Sequence, residues 1–267
     1  MEQLLRYEVN RGLQTRMIKA ERHDRIMAEL ARRGAIGVQE LAALLDASSA
    51  TIRRDIAELD ATNALLRTHG GAALPDRRQE MPYDAKVMAF LPEKRRIGAY
   101  AASLLEPGQT VGCGGGTTIM QMIKSIKRMS LHIVTNAVNV ALELRDADNI
   151  DVTLTGGRMR KRTAEVVGPI CERTMRDINL DVAVIGADGI HVDRGYTTYD
   201  PEEAYANRAL ISRAREVWIL ADHSKAERVH PAVIDELGVA KLLITDTAVP
   251  AAFVEAMTAA GVQVVTV

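Results

Sequence analysis

The chain is 267 residues long, 47% hydrophobic and 26% charged, with a formal net charge of −1, which is enough material for one large or two ordinary domains with proper cores. Two cysteines, Cys113 and Cys171, exclude a four-cysteine zinc site and a disulfide framework and fit a reducing cytoplasm. No apolar run reaches the roughly 18 residues of a membrane-spanning helix. The charge is only weakly polarised: residues 1–78 hold 13 Lys and Arg against 11 Asp and Glu. Nucleic-acid binding would therefore depend on where the arginines point, and not on bulk electrostatics.

Residues 1–20 read as an N-terminal extension, interrupted by Glu2, Arg6 and Glu8 and so unlike a signal peptide. Residues 21–74 read as a winged helix-turn-helix. A helix is expected over 22–33, with Ile26, Met27, Leu30 and Ala31 inward and Gly34 as its stop. A second follows over 38–45, with Leu41, Leu44 and Leu45 as its buried edge, and then a short polar turn, Asp46, Ala47 and Ser48. Ser48 or Ser49 can cap the third helix, in which Ile52, Ile56 and Leu59 recur at i, i+4 and i+7 as one apolar stripe. Arg54 falls opposite that stripe, Ala50 and Ala57 flank it, and Thr51 and Arg53 sit on the shoulders. Small side chains around a guanidinium suit a major groove, where the Arg fork matches the two acceptors of guanine. A strand over 65–68 leads to His69, Gly70 and Gly71, residue types that tolerate positive φ in a tight turn. The expected DNA-contacting set is Ser49, Ala50, Thr51, Arg53, Arg54, Arg67 and His69. The competing possibility is an ordinary three-helix surface with solvated arginines. Turn, cap, helix and hairpin agree with one another, and that favours DNA.

Residues 75–92, with prolines at 75, 82 and 92 and a charged patch, read as a linker. From 93 to 267 the rhythm becomes that of an α/β domain. Helices are expected over 93–105, 117–126, 137–145 and 202–214, and strands over 110–113, 131–135, 151–155, 182–185, 217–221, 242–245 and 262–267. Runs rich in Val, Ile and Leu at this spacing predict a largely parallel sheet covered by helices on both faces. In such sheets ligands sit beyond the carboxyl ends of the strands. Glycine and polar clusters fall on those ends: Gly114, Gly115, Gly116, Thr117 and Thr118; Thr135 and Asn136; Gly156, Gly157 and Arg158; Gly186 to Gly189 with Asp188; and Asp222 with Lys225. Each alone is turn chemistry. Together they predict a small phosphorylated or polyhydroxylated ligand, with Arg158, Lys225 and a helix N-terminus supplying positive potential and Asp188 and Asp222 receiving hydroxyls.

The run TIRRDIAEL followed by RTHGGA resembles the signature of the DeoR family of bacterial transcriptional regulators. The Gly-Thr-Thr loop at 116–118, Thr135 with Asn136, GADGI at 186–190 and ADHSK at 221–225 are similar to that family's C-terminal domain. The resemblance implies a ribose-phosphate-isomerase-like fold in a cytoplasmic regulator. It also implies a repressor of carbohydrate or polyol catabolic genes that a sugar phosphate releases from double-stranded operator DNA. Paired half-sites imply a homo-oligomer, a dimer or tetramer. The alternative is a sugar-phosphate isomerase-like enzyme with an appended DNA-binding module. The isomerase motif resembles Asp-Gly-Ala-Asp-Glu, of which Ile185, Gly186, Ala187, Asp188 and Gly189 keep one acid. Binding without turnover is therefore expected, with no catalytic residue and no cofactor. No two histidines have metal-ligand spacing on one element, so no metal is expected either.

Overall fold

The computed structural model describes residues 17–61, 64–73 and 80–267. Most of the expected N-terminal extension and the side chain of Ala31 lie outside the described residues. Contacts divide the chain into two compact units at Leu74.

The first unit follows the sequence pattern closely. Helix α1 (Lys19–Arg33) buries Ile26, Met27 and Leu30, and Gly34, at φ 81°, ends it with its N–H on Leu30 O. Strand β1 (Ala35–Gly37) and helix α2 (Val38–Leu44) come next. Val38, Leu41 and Leu45 are buried there, but Leu44, expected on the inner edge, is 46% exposed. The three buried positions already fill a stripe at i, i+3 and i+7, and Leu44 falls outside it. Asp46 turns the chain at φ 46° into α3 (Ser49–Ala61). Of the two possible caps it is Ser48 that acts, its Oγ accepting the Thr51 N–H at 3.1 Å.

The inward stripe of α3 is Ile52, Asp55, Ile56 and Leu59. Asp55, an acid amid apolar neighbours, is satisfied by Arg22 of α1 through two bonds, 2.5 and 2.9 Å, and by His23 at 3.2 Å. Strands β2 (Leu66–Arg67) and β3 (Gly71–Ala73) form the wing, and β1 pairs with β3 to make a three-stranded sheet. Neither Gly70 nor Gly71 has positive φ, contrary to expectation. Gly71 is needed for close approach: a Cβ there would lie 2.1 Å from Ile36 O across the β1–β3 pair.

The second unit is a seven-stranded parallel sheet in the order β15-β14-β12-β9-β4-β5-β6. Its strands are β4 (Thr110–Cys113), β5 (Leu131–Thr135), β6 (Ile150–Leu154), β9 (Leu180–Gly186), β12 (Ala214–Leu220), β14 (Leu242–Thr245) and β15 (Gln263–Thr266). Alternation along β9 explains the two covered faces. Val182 and Val184 join one apolar cluster with α5 (Leu91–Ser103), α6 (Thr117–Ser125) and α7 (Val138–Leu144), while Ala183 and Ile185 join the other with α8 (Pro169–Arg176), α9 (Pro201–Ile211) and α10 (Ala251–Ala259). Helices α5 and α6 touch at Gly98, where an added Cβ would lie 2.5 Å from Met122 N.

Several features were not expected. The segment read as a linker contains helix α4 (Tyr83–Met88). Hairpin β7 (Arg158–Arg160) and β8 (Glu165–Val167) and a small antiparallel sheet of β10 (Gly189–His191), β11 (Gly195–Thr198) and β13 (Ala232–Asp235) stand at the carboxyl ends of the strands. The helix expected to run to 214 stops at Ile211, and Ala214 already belongs to β12.

Candidate functional site

On the first unit, Ala50, Arg53 and Arg54 of α3 and Arg67 and His69 of the wing are exposed, while Ser49 and Thr51 are half-buried at the helix start. The Thr51 hydroxyl also lies 2.8 Å from Ser48 Oγ, so it fixes the cap as well as facing outward. The Arg67 N–H donates to Asp60 Oδ1 at 2.9 Å, which ties the wing to the end of α3. An α-helix with small outward residues and two exposed guanidiniums, buttressed by a hairpin, can lie in a major groove with the wing along the backbone.

On the second unit, the carboxyl ends of β4, β5, β9 and β12 face a buried cluster of charges. Asp188, in the turn after β9, accepts from Lys86 Nζ at 3.0 and 3.2 Å and from Thr198 Oγ1 at 3.1 Å, with Lys225 Nζ at 3.6 Å. Burial pushes its carboxyl up, but Lys86 and Lys225 outweigh this and hold it below the usual carboxylate range. Arg160 is gripped by Glu80 at 2.7 Å, Glu203 at 2.5 Å and Asp200 at 3.2 Å. Burial next to Glu165 and Asp188 drives the Glu203 carboxyl well up. Lys94 lies on the inward stripe of α5 with Ile97, Gly98 and Ala101. It is 3% exposed, donates to the Lys86 carbonyl, and is pushed down to about 8 by burial, opposed by Asp222. The rings of Tyr199 and His230 pack 4.0 Å apart near Lys86.

The other expected ligand residues take varied places. In the glycine loop, the Gly115 N–H points at Glu165 Oε1 at 2.8 Å, and added Cβ atoms at Gly114 and Gly115 would press on that same side chain. The loop thus already holds a carboxylate, whose own proton affinity is raised by burial. Thr117 and Thr118 are buried at the start of α6. Thr135 Oγ1 donates to Cys113 O and receives the Ala137 N–H, a turn-forming role. Asn136 anchors Val166 O through Nδ2, and its Oδ1 is buried without a partner.

Asp222 caps the short turn His223–Lys225 through the Ser224 N–H at 3.1 Å. Gly157, at φ 136°, packs where a Cβ would lie 2.6 Å from Val167 O. Arg158 is exposed and paired with Glu202, while Arg160, two residues on, is the arginine inside the cluster. Sequence reading missed Glu80, Lys86, Lys94, Arg160, Glu165 and Glu203; the available signal was a lysine on the buried stripe of α5. A groove lined by Asn179, Asp181, Arg213 and Arg215 sits at the opposite, amino ends of β9 and β12, away from these groups.

The DeoR-like helix-turn-helix domain matches residues 22–78, and the DeoR C terminal sensor domain matches residues 90–247. The chain belongs to the DeoR family. Among its relatives, the HTH-type transcriptional regulator FruR of Bacillus subtilis is 34% identical over 86% of this chain and 92% of its own length. The HTH-type transcriptional regulator GlpR of Haloferax volcanii is 35% identical over 93% and 98%, and the glycerol-3-phosphate regulon repressor of Escherichia coli K12 is 30% identical over 92% and 98%. A solved ribose 5-phosphate isomerase A from Methanocaldococcus jannaschii overlaps 50% of this chain and 53% of its own at 15% identity, with a TM-score of 0.38. As a DeoR-family protein the chain is a DNA-binding transcriptional regulator: its first unit is the helix-turn-helix and its second the sensor domain.

Proposed function

We propose that this regulator represses a carbohydrate or polyol catabolic operon and is released by a phosphorylated sugar or polyol bound in the charged cluster of the sensor domain. The observation that carries the reading is Lys94. A buried ammonium that, among the described residues, donates to the Lys86 carbonyl and lies beside Lys86 and Lys225 supplies charge for an incoming anion. Asp188 and the Tyr199–His230 ring pair then face the hydroxylated part of the ligand.

DNA affinity comes from Arg53 and Arg54 of α3 with Arg67 and His69 of the wing, used by a dimer or tetramer on half-sites about 34 Å apart or at multiples of that spacing. Ligand changes operator affinity by binding one state better than the other, with coupling of about 1–3 kcal/mol. Binding proceeds without turnover, because an acid pinned between two lysines is a poor base for moving a proton between carbons.

A thermal-shift panel of phosphorylated sugars and polyols on the full chain, followed by operator gel shift, tests this. A true effector at 100 times its Kd adds about 2.7 kcal/mol to apparent stability and weakens operator binding. Lys94→Met removes the response and leaves ligand-free operator binding intact. A panel without any stabilising member, or steady conversion of the ligand, refutes the reading.

A further inference from the structure

Two side chains in the stretch preceding α5 reach into the charged cluster. Glu80 is buried, and its carboxylate bridges two cations: one oxygen is 2.7 Å from Arg160 Nη2 and the other 3.4 Å from Lys86 Nζ. Its backbone carbonyl accepts from Arg162 Nη1 at 2.5 Å, and the Tyr83 N–H donates to Arg162 O at 3.3 Å. Lys86, six residues on, holds both oxygens of Asp188. The segment thus pairs by charge with Arg160 and Arg162 and, through Lys86, with Asp188, which is assigned above to the effector. A carboxylate set between a guanidinium and an ammonium satisfies them as a phosphate oxygen pair would.

We propose that Glu80 is an internal anion that competes with the anionic group of the effector for Arg160 and Lys86, so that ligand binding and docking of residues 80–83 exclude one another while Lys86 stays in the cluster. The proposal rests on the reading of this cluster as the effector site. Glu203 and Asp200 stay on Arg160 when Glu80 leaves, so the guanidinium remains anchored while one of its edges changes partner. Lys86 likewise exchanges Glu80 and Asp188 for the ligand and keeps its charge neutralised throughout.

The test is hydrogen exchange of the amides of residues 80–83 in the full-length protein, with inorganic phosphate as the probe at constant ionic strength, in wild type, Glu80→Gln and Lys86→Met. In wild type, phosphate speeds exchange of the segment. Glu80→Gln exchanges fast without phosphate and binds phosphate about fivefold more tightly, the effect of removing one competing ion pair. Lys86→Met also frees the segment but binds phosphate more weakly, because a cation is gone. A merely structural role for the segment would move phosphate affinity the same way in both variants, and that result overturns the proposal. So does a wild-type segment still protected at saturating phosphate, or no phosphate binding to either protein. Sugar phosphates that leave operator affinity unchanged while phosphate still displaces Glu80 sink the proposed function alone; operator release with residues 80–83 still protected sinks the competition alone.

Discussion

Replacing Asp55 with Asn tests what holds the DNA-binding unit together. Asp55 sits on the inward stripe of α3 and is 2% exposed; Arg22, which donates two bonds to it, has a side chain only 11% exposed. Asn keeps the volume and one acceptor but removes the charge, leaving the guanidinium buried without its counter-ion. Breaking a buried pair from one side costs about 3–5 kcal/mol, and the remaining acceptor places Asp55→Asn at the lower end, about 3 kcal/mol. For a unit of this size each kcal/mol moves Tm by about 4–8 °C, so a fall of more than about 10 °C is expected. Hydrogen exchange of the Ile26, Leu30, Ile52 and Ile56 amides reads this unit separately from the sensor domain.

The double variant Arg22→Met with Asp55→Leu recovers most of the loss, since an apolar pair of similar volume needs no counter-ion. Protection of those amides in Asp55→Asn within about 1 kcal/mol of wild type refutes the reasoning, because a lost buried pair cannot cost so little. The pH dependence has a definite sign. Burial pushes the Asp55 carboxyl up, but Arg22 and His23 bring it below its ordinary value of 3.8. Its contribution is thus complete above 3.8 and is lost as pH falls through the lower folded value.

Further expectations concern single contacts. Arg54→Ala weakens operator binding by about 1–3 kcal/mol and relaxes base preference at one position, measured by fluorescence anisotropy on operator and scrambled duplexes; unchanged discrimination removes its base-reading role. Gly98→Ala forces α5 away from α6 and lowers sensor-domain stability by about 1–3 kcal/mol in urea titration. The His223 imidazole, hydrogen-bonded to Asp246 at 2.9 Å, is raised above 6.5 despite burial, so an NMR titration finds its midpoint above that value and Asp246→Asn brings it down. Its stabilising contribution is present below 6.5 and is lost as pH rises through the folded midpoint.

The recognition helix was readable because its information is local: cap, stripe and outward arginine all lie between Ser48 and Leu59. The parallel sheet was readable for the same reason, strand by strand, and so were Asp188 and Lys225 at strand ends. The rest of the cluster was not, because its partners meet only across the fold. Glu80 and Arg160 are 80 residues apart, and Lys86 and Asp188 are 102 apart. Arg158 and Arg160 look equivalent on one strand, and only the position of α9 decides that one pairs at the surface and the other inside. Prolines and charge made residues 75–92 look like a solvated tether, yet in residues 80–92 Lys86 pairs with Asp188, Glu80 pairs with Arg160, and Ala85 and Ala89 are buried. Lys94 could have been noticed, since an ammonium on an apolar stripe needs a reason.

The order of the seven strands has a consequence for synthesis. Central strand β9 is flanked by β4, made earlier, and β12, made later, and the lysine that faces Asp188 from the far side, Lys225, comes later still. A ribosome therefore completes the helix-turn-helix long before the sensor-domain sheet can close. A chain that stops before β12 carries a finished helix-turn-helix beside an incomplete sheet, so the two units mature at different times.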